Sequence, residues 1–128
     1  MEKKTDLSET LEDYLETILE LQTIKTVARS KDIAEKLDIK RGSVTGMLKK
    51  LAEKELINYE PYGYVTLTPA GRKIAQKIEH RHQVLKDFFM RILKVDAQKA
   101  DQTACRMEHA MDDDTFSRFQ IFIRKVDT

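Results

Sequence analysis

The chain has 128 residues, 35% charged and 41% hydrophobic, with a formal net charge of +1. That length and mixture fit one compact unit or two small lobes sharing a core, and exclude a polybasic tail or a highly charged disordered chain. The single cysteine, Cys105, excludes an internal disulfide, no window approaches the ~18 apolar residues of a membrane span, and the first residues lack the apolar segment of a secretory leader. Four glycines and two prolines supply few turns for a many-stranded β fold. The expectation is a mostly α, cytoplasmic protein with no membrane partner.

Ser8 caps a predicted first helix over residues 8–23, with Leu11, Tyr14, Leu15, Ile18 and Leu19 on one face. The stretch around Val27 is irregular or a short strand. Ser30 is expected to cap a second helix through Ile33, Ala34 and Leu37. After the short connection at 38–40, a third helix over 41–55 buries Val44, Met47, Leu48 and Leu51. It has no strong cap, and Gly42 in its first turn costs some stability. Ile57-Asn58-Tyr59 and Val65-Thr66-Leu67 alternate around the turn residues Pro61-Tyr62-Gly63, which predicts a hairpin. Thr68 caps a fourth helix with Pro69 at its first position; it carries Ile74, Ile78, Leu85, Phe88, Phe89 and Ile92. A fifth helix is predicted over 96–110. A sixth, opened by Asp112-Asp113-Asp114, carries Phe116, Phe119, Phe122, Ile123 and Val126.

The near-zero total hides opposite charges. Residues 1–20 sum to −5, residues 21–58 to +4, residues 72–99 to +5 and residues 100–114 to −4. Solvated helix faces explain such segments, and so do basic segments that meet phosphate and acidic ones that meet cations.

Two short helices with a tight connection, then a hairpin, make a winged helix-turn-helix with the third helix as reader. Lys40, Arg41, Ser43, Thr45, Lys49 and Lys50 are its candidate contacts, because cations and hydroxyls reach phosphates and base edges. Tyr62 and Gly63 at the wing tip, beside Tyr64, approach the adjacent backbone or minor groove. One module makes few contacts, so a dimer reading two half-sites is expected.

Asp13 and Glu16 lie one turn apart on one face of the first helix. Cys105, Glu108 and His109 lie within one turn of the fifth. His82 continues the inward stripe of Ile74 and Ile78. If they converge, these residues form a mixed oxygen, nitrogen and sulfur site that suits Mn(II), Fe(II), Co(II) or Ni(II), and not the cysteine-rich set of a structural zinc ribbon. Each residue also has a plain structural reading: a hydrogen-bonded core histidine, a small apolar cysteine, carboxylates favouring a helix start.

The sequence resembles the diphtheria-toxin-repressor family of iron- and manganese-dependent repressors. The resemblance is carried by Ser8 to Ile18, Lys31 to Leu37, Ser43 to Leu51, Tyr59 to Gly63, Leu67 to Gly71, Arg81-His82 and Ala104-Cys105-Arg106-Met107-Glu108-His109, in order. It implies that Asp13 and Glu16 fill manganese-type ligand positions, and that His82, Glu108 and His109 fill ligand positions shared across the family. Cys105 fills an iron-type position, so the set is a hybrid, and its thiolate shifts the expected preference toward Fe(II). Asp101 stands where iron-type members have an ancillary histidine and is a further candidate ligand. Lys86 stands where the family usually has a glutamate ligand, which weakens a second metal site. Gly42 replaces a common proline, and no counterpart of the longer members' C-terminal β-barrel is expected.

The resemblance therefore implies a winged helix-turn-helix DNA-binding domain at 1–72 and a helical metal-binding and dimerisation domain at 73–128. It implies a homodimer on a double-stranded DNA operator, with Fe(II) or Mn(II) as cofactor and no small-molecule substrate. Phe116, Phe119, Phe122 and Ile123 are candidates for the dimer interface or for an internal core. The rival readings are a winged-helix regulator without metal control and a small binuclear metallohydrolase. The latter lacks a pocket-forming β scaffold and a separate general base.

Overall fold

The structure is a computed structural model and describes residues 7–60 and 63–126. The elements run α1 (Glu9–Lys25), β1 (Ala28–Arg29), α2 (Ser30–Leu37), α3 (Arg41–Glu53), β2 (Ile57–Glu60), β3 (Tyr64–Leu67), α4 (Pro69–Arg91), α5 (Ala97–Met107) and α6 (Asp113–Val126). Two compact units divide the chain between Gln76 and Lys77. Helices dominate, as the composition implied.

In the first unit, Ser8 Oγ accepts from the Leu11 N–H at 3.2 Å, and Glu9 and Glu12 place negative charge in the first turn of α1. Ser30 does not cap α2. Arg29 takes the cap position in extended backbone without a side-chain bond, because it is paired with Tyr64 in the sheet, and Ser30 becomes the first helical residue. Asp38 closes α2 in the left-handed region, its N–H bonding the carbonyls of Ala34 and Glu35, a conformation that aspartate tolerates better than most residues. The α2–α3 turn is accordingly tight. α3 ends two residues before the expected Glu55, where the backbone turns left-handed at φ 60°.

The antiparallel sheet has the order β1-β3-β2. Ala28 and Arg29 oppose Val65 and Tyr64 on one side of β3, and Ile57 to Glu60 oppose Leu67 to Tyr64 on the other. The alternation seen in sequence holds: Ile57, Val65 and Leu67 face the core, and Asn58 and Tyr64 face outward. Gln22 Oε1 accepts from the Leu67 N–H at 2.7 Å, tying α1 to β3. The core is one apolar cluster built from Tyr14, Leu15 and Ile18 of α1, Ile33 of α2, Val44, Leu48 and Leu51 of α3, and the inward strand residues. Met47 is only partly buried against it.

Thr68 Oγ1 accepts from the Gly71 N–H at 3.1 Å and donates to the Glu55 carbonyl at 2.9 Å, so the cap read from sequence also anchors α4 to the end of α3. Gly71 is demanded by sterics. A Cβ there would lie 1.9 Å from the Leu56 carbonyl oxygen.

The second unit packs the later turns of α4 with α5 and α6. Asp96 Oδ1 accepts from the Lys99 N–H and Asp112 Oδ1 from the Thr115 N–H; each carboxylate opens a helix. α5 stops at Met107, short of the expected 110, where Ala110 N–H bonds back to the Met107 carbonyl in a tight turn. Ile78, Leu85, Ala100, Ala104 and Phe116 are buried. Phe88 meets Phe119 edge to face at 4.9 Å between centroids. Among the described residues, no helix is long and apolar enough to cross a membrane.

Candidate metal centre and reading surface

The candidate reading surface read from sequence lies on α3 and the wing. Lys40, Arg41, Ser43, Lys49 and Lys50 are exposed, and Thr45 is half-buried. Their exposure follows from the buried stripe of Val44, Leu48 and Leu51, which turns the intervening positions outward. Gly63 has φ +82°, and a Cβ on it would come within 3.0 Å of Ser30 Oγ, so glycine suits the wing. Tyr62 lies outside the described residues. The sequence reading missed Arg29. Its guanidinium stands 5.0 Å from the centre of the exposed Tyr64 ring, a cation–π pair at the base of the wing. A two-residue strand is too short for alternation to reveal, so only the register shows the pairing.

In the same unit, α1 presents Asp13, half-buried, and Glu16, buried, one turn apart. Both follow from the helical spacing around Leu11, Leu15 and Ile18.

In the second unit, His82 of α4 joins two carboxylates. Its Nδ1 lies 2.7 Å from Glu108 Oε1 and its Nε2 2.8 Å from Asp101 Oδ1. The hydrogen bond to Glu108 raises the His82 pKa to about 9, opposed by burial and reinforced by the bond to Asp101 and by both negative charges. The ring therefore carries both protons at neutral pH and donates to both carboxylates. The same contact pulls the Asp101 carboxyl below its ordinary range. Lys86 Nζ lies 3.5 Å from the Asp101 oxygen that His82 uses.

Glu108 is 1% exposed. Its Oε2 has no hydrogen-bond partner among the described residues, although His109 Nε2 lies 3.4 Å away. The structure thus links Asp101, His82, Glu108 and His109, and leaves Cys105 exposed on α5, one turn before Glu108. A buried carboxylate oxygen without a donor is costly in a protein interior, and a bound cation satisfies it. Imidazole and carboxylate donors suit Fe(II) and Mn(II), so the residues present fit such an ion once it displaces one ring proton of His82.

Arg81 was named in the sequence only as the neighbour of His82, and the structure shows it buried. Its Nη1 donates to the carbonyls of Glu108, at 3.1 Å, and Met111, and its Nη2 meets Asp113 Oδ1 at 2.7 Å. The signal was available: Arg81 interrupts the stripe Ile74, Ile78, Leu85 of α4, and a cation on such a stripe needs acceptors within its own fold.

Of the proposed interface residues, Phe116 is buried, with its ring 5.1 Å from the Arg81 guanidinium carbon. Phe119 and Ile123 are partly buried. Phe122 is 52% exposed, with Ile121 and Val126 also exposed on α6.

A winged helix-turn-helix on the same chain as a histidine–carboxylate cluster defines a metal-responsive DNA-binding regulator. Residues 6–65 match the family described as iron dependent repressor, N-terminal DNA binding domain, and residues 68–128 match its metal binding and dimerisation domain. The chain belongs to this family, the DtxR/MntR family of metal-dependent transcriptional regulators. It is 38% identical over 120 residues to an uncharacterised HTH-type transcriptional regulator of Methanocaldococcus jannaschii, covering 93% of this chain and 96% of that protein. It is 41% identical over 99 residues to the HTH-type transcriptional regulator MntR of Bacillus pumilus, covering 77% of this chain and 68% of that one. It is similar to the solved structure of T. acidophilum IdeR, with a TM-score of 0.77 and 26% identity, covering 100% of this chain and 56% of that one. The chain thus spans a little over half the length of that solved structure. The family is one of transcriptional repressors and not of enzymes, which sets the hydrolase reading aside, and its cofactor class is iron or manganese.

Proposed function

We propose that this protein is a homodimeric DNA-binding repressor, activated by Fe(II) or Mn(II), that controls genes of metal homeostasis. The observation that carries the reading is the linked set Asp101–His82–Glu108–His109 with its undonated buried oxygen. It falls in the segment matched as metal binding and dimerisation.

In this reading residues 1–72 read DNA and residues 73–128 bind metal and dimerise. His82, Glu108 and His109 are the central ligands, with Asp13, Glu16, Asp101 and Cys105 completing the set. A bound divalent cation supplies the positive charge that offsets this many carboxylates. Asp13 and Glu16 sit on the reading unit's first helix, so their engagement restrains that helix and fixes the spacing of the two recognition helices. Metal and DNA affinities are then coupled reciprocally, by about 1–3 kcal/mol. Lys40, Arg41, Ser43, Thr45, Lys49, Lys50 and the wing at Tyr62 and Gly63 make the DNA contacts. Phe122, with Phe119 and Ile123, forms the dimer face, over a core that includes Phe116. The exposed Cys105 thiolate tips the preference toward Fe(II) over Mn(II).

Fluorescence anisotropy on DNA from upstream of the protein's own gene and of neighbouring metal-transport genes tests the reading at fixed salt, since ionic strength alone shifts such affinities severely. Tight binding with anaerobic Fe(II) or Mn(II) and weak binding in chelator is the expected result. Equally tight binding in chelator makes the protein a constitutive regulator, and the order of the two metals tests the role given to Cys105.

A further inference from the structure

We infer that Arg81 is a positioning residue for metal binding, holding the Glu108–His109 pair in place through the main chain at the end of α5. The inference rests on the metal reading above.

A buried guanidinium is tolerated only when its donors are used. Here Nη1 serves two carbonyls, those of Glu108 and Met111, and Nη2 serves Asp113, which Lys77 also reaches at 2.8 Å. The last carbonyls of a helix have no partner inside it. α5 ends at Met107, so the Arg81 fork supplies donors where the chain leaves the helix and carries both ligands. The Phe116 ring centre lies 5.1 Å from the guanidinium carbon, a packing contact that none of these three bonds depends on.

Consecutive residues of α4 therefore grip Glu108 in two ways. Arg81 holds its carbonyl, and His82 holds its carboxylate at 2.7 Å. Losing the first leaves the peptide at Glu108 free to rotate, and the carboxylate and the His109 ring move with it. An ammonium cannot replace the fork. Lysine keeps the charge but offers a single point, whereas the fork here serves two carbonyls of the α5–α6 connection and the Asp113 carboxylate of α6.

A purely structural arginine would lower stability and leave metal affinity alone, so the test separates the two. Mn(II) affinity is measured by competition with a fluorescent chelator, on folded protein verified by circular dichroism. Arg81→Lys is expected to weaken Mn(II) binding at least tenfold. It is also expected to speed amide exchange at Glu108 and Ala110 without added metal, since these N–H groups bond to Ala104 and Met107 at the end of α5. Phe116→Leu, which disturbs packing but spares the carbonyl bonds, is expected to lower the melting temperature and keep Mn(II) affinity within twofold. Should Arg81→Lys fail to fold, Asp113→Asn removes one anchor of the guanidinium from an exposed position, with two- to threefold weaker binding expected. Wild-type binding with no change in either variant, or an equal loss in Phe116→Leu, overturns the inference alone. A wild type that takes up neither Mn(II) nor Fe(II) overturns the metal reading, and the inference with it.

Discussion

The two units are held together by different physics. From Leu11 to Ala75 the first unit gathers a continuous hydrocarbon cluster, to which α1, α2, α3, the sheet and the first turns of α4 contribute. In the second, the buried apolar side chains are Ile78, Leu85, two alanines and Phe116, and the buried Arg81 and Glu108 accompany them. Hydrophobic burial is non-directional and does not require a particular protonation state or a bound ion. Buried charge is directional, and its cost depends on every partner being in place. The first unit is therefore built to keep one shape, and the stability of the second depends on the partners of its buried Arg81 and Glu108.

The sharpest way to break this contrast is Gly71→Ala. Alanine in an exposed helix improves on glycine by about 1 kcal/mol. The Leu56 carbonyl at 1.9 Å is backbone and cannot give way cheaply, so the clash wins, with an expected loss of about 3 kcal/mol. Denaturant unfolding should show the loss in the first unit, and a neutral or stabilising result would refute the packing described here. The next largest effect belongs to the second unit. Mn(II) at a hundred times its dissociation constant should raise unfolding stability by about 2.7 kcal/mol, and His109→Ala should erase that increment while leaving the metal-free melting curve of the first unit in place. The smallest effect concerns acid. The Lys77 and Arg81 contacts hold the Asp113 carboxyl below its ordinary range. Its contribution is therefore fully present above the unfolded value near 3.8 and is lost as pH falls through the lower folded value. Asp113 is largely exposed, and solvent screening keeps the effect slight. Comparing the acid limb of stability in wild type and Asp113→Asn measures it; an identical limb would show that the ion pair adds nothing.

Much of the reading unit was legible because its rules are local. Thr68-Pro69 announced α4, and the alternation around residues 57–67 announced β2 and β3. The errors fell where tertiary pairing decides. Ser30 has every property of a cap, yet strand pairing of Arg29 with Tyr64 takes that position from it. Spacing after Ile74 and Ile78 put His82 on the inward face of α4, and its contact with the buried Glu108 agrees with that placement. Spacing could not show that Phe116 is covered by Arg81 within its own unit, because that contact joins residues 35 positions apart and depends on how α6 returns.

The Arg81 fork also limits how the chain can be re-engineered. One guanidinium spans the Glu108 and Met111 carbonyls and the Asp113 carboxylate, so the α5–α6 connection has a fixed length. An inserted or deleted residue there would put at least one acceptor out of reach. The α4–α5 connection, where Lys94 turns at φ 61° and is exposed, bonds back to α4 through the Leu93 and Val95 N–H groups. A tag, a fluorophore graft or a circular-permutation break belongs at Lys94, and the segment after Met107 should be left at its native length.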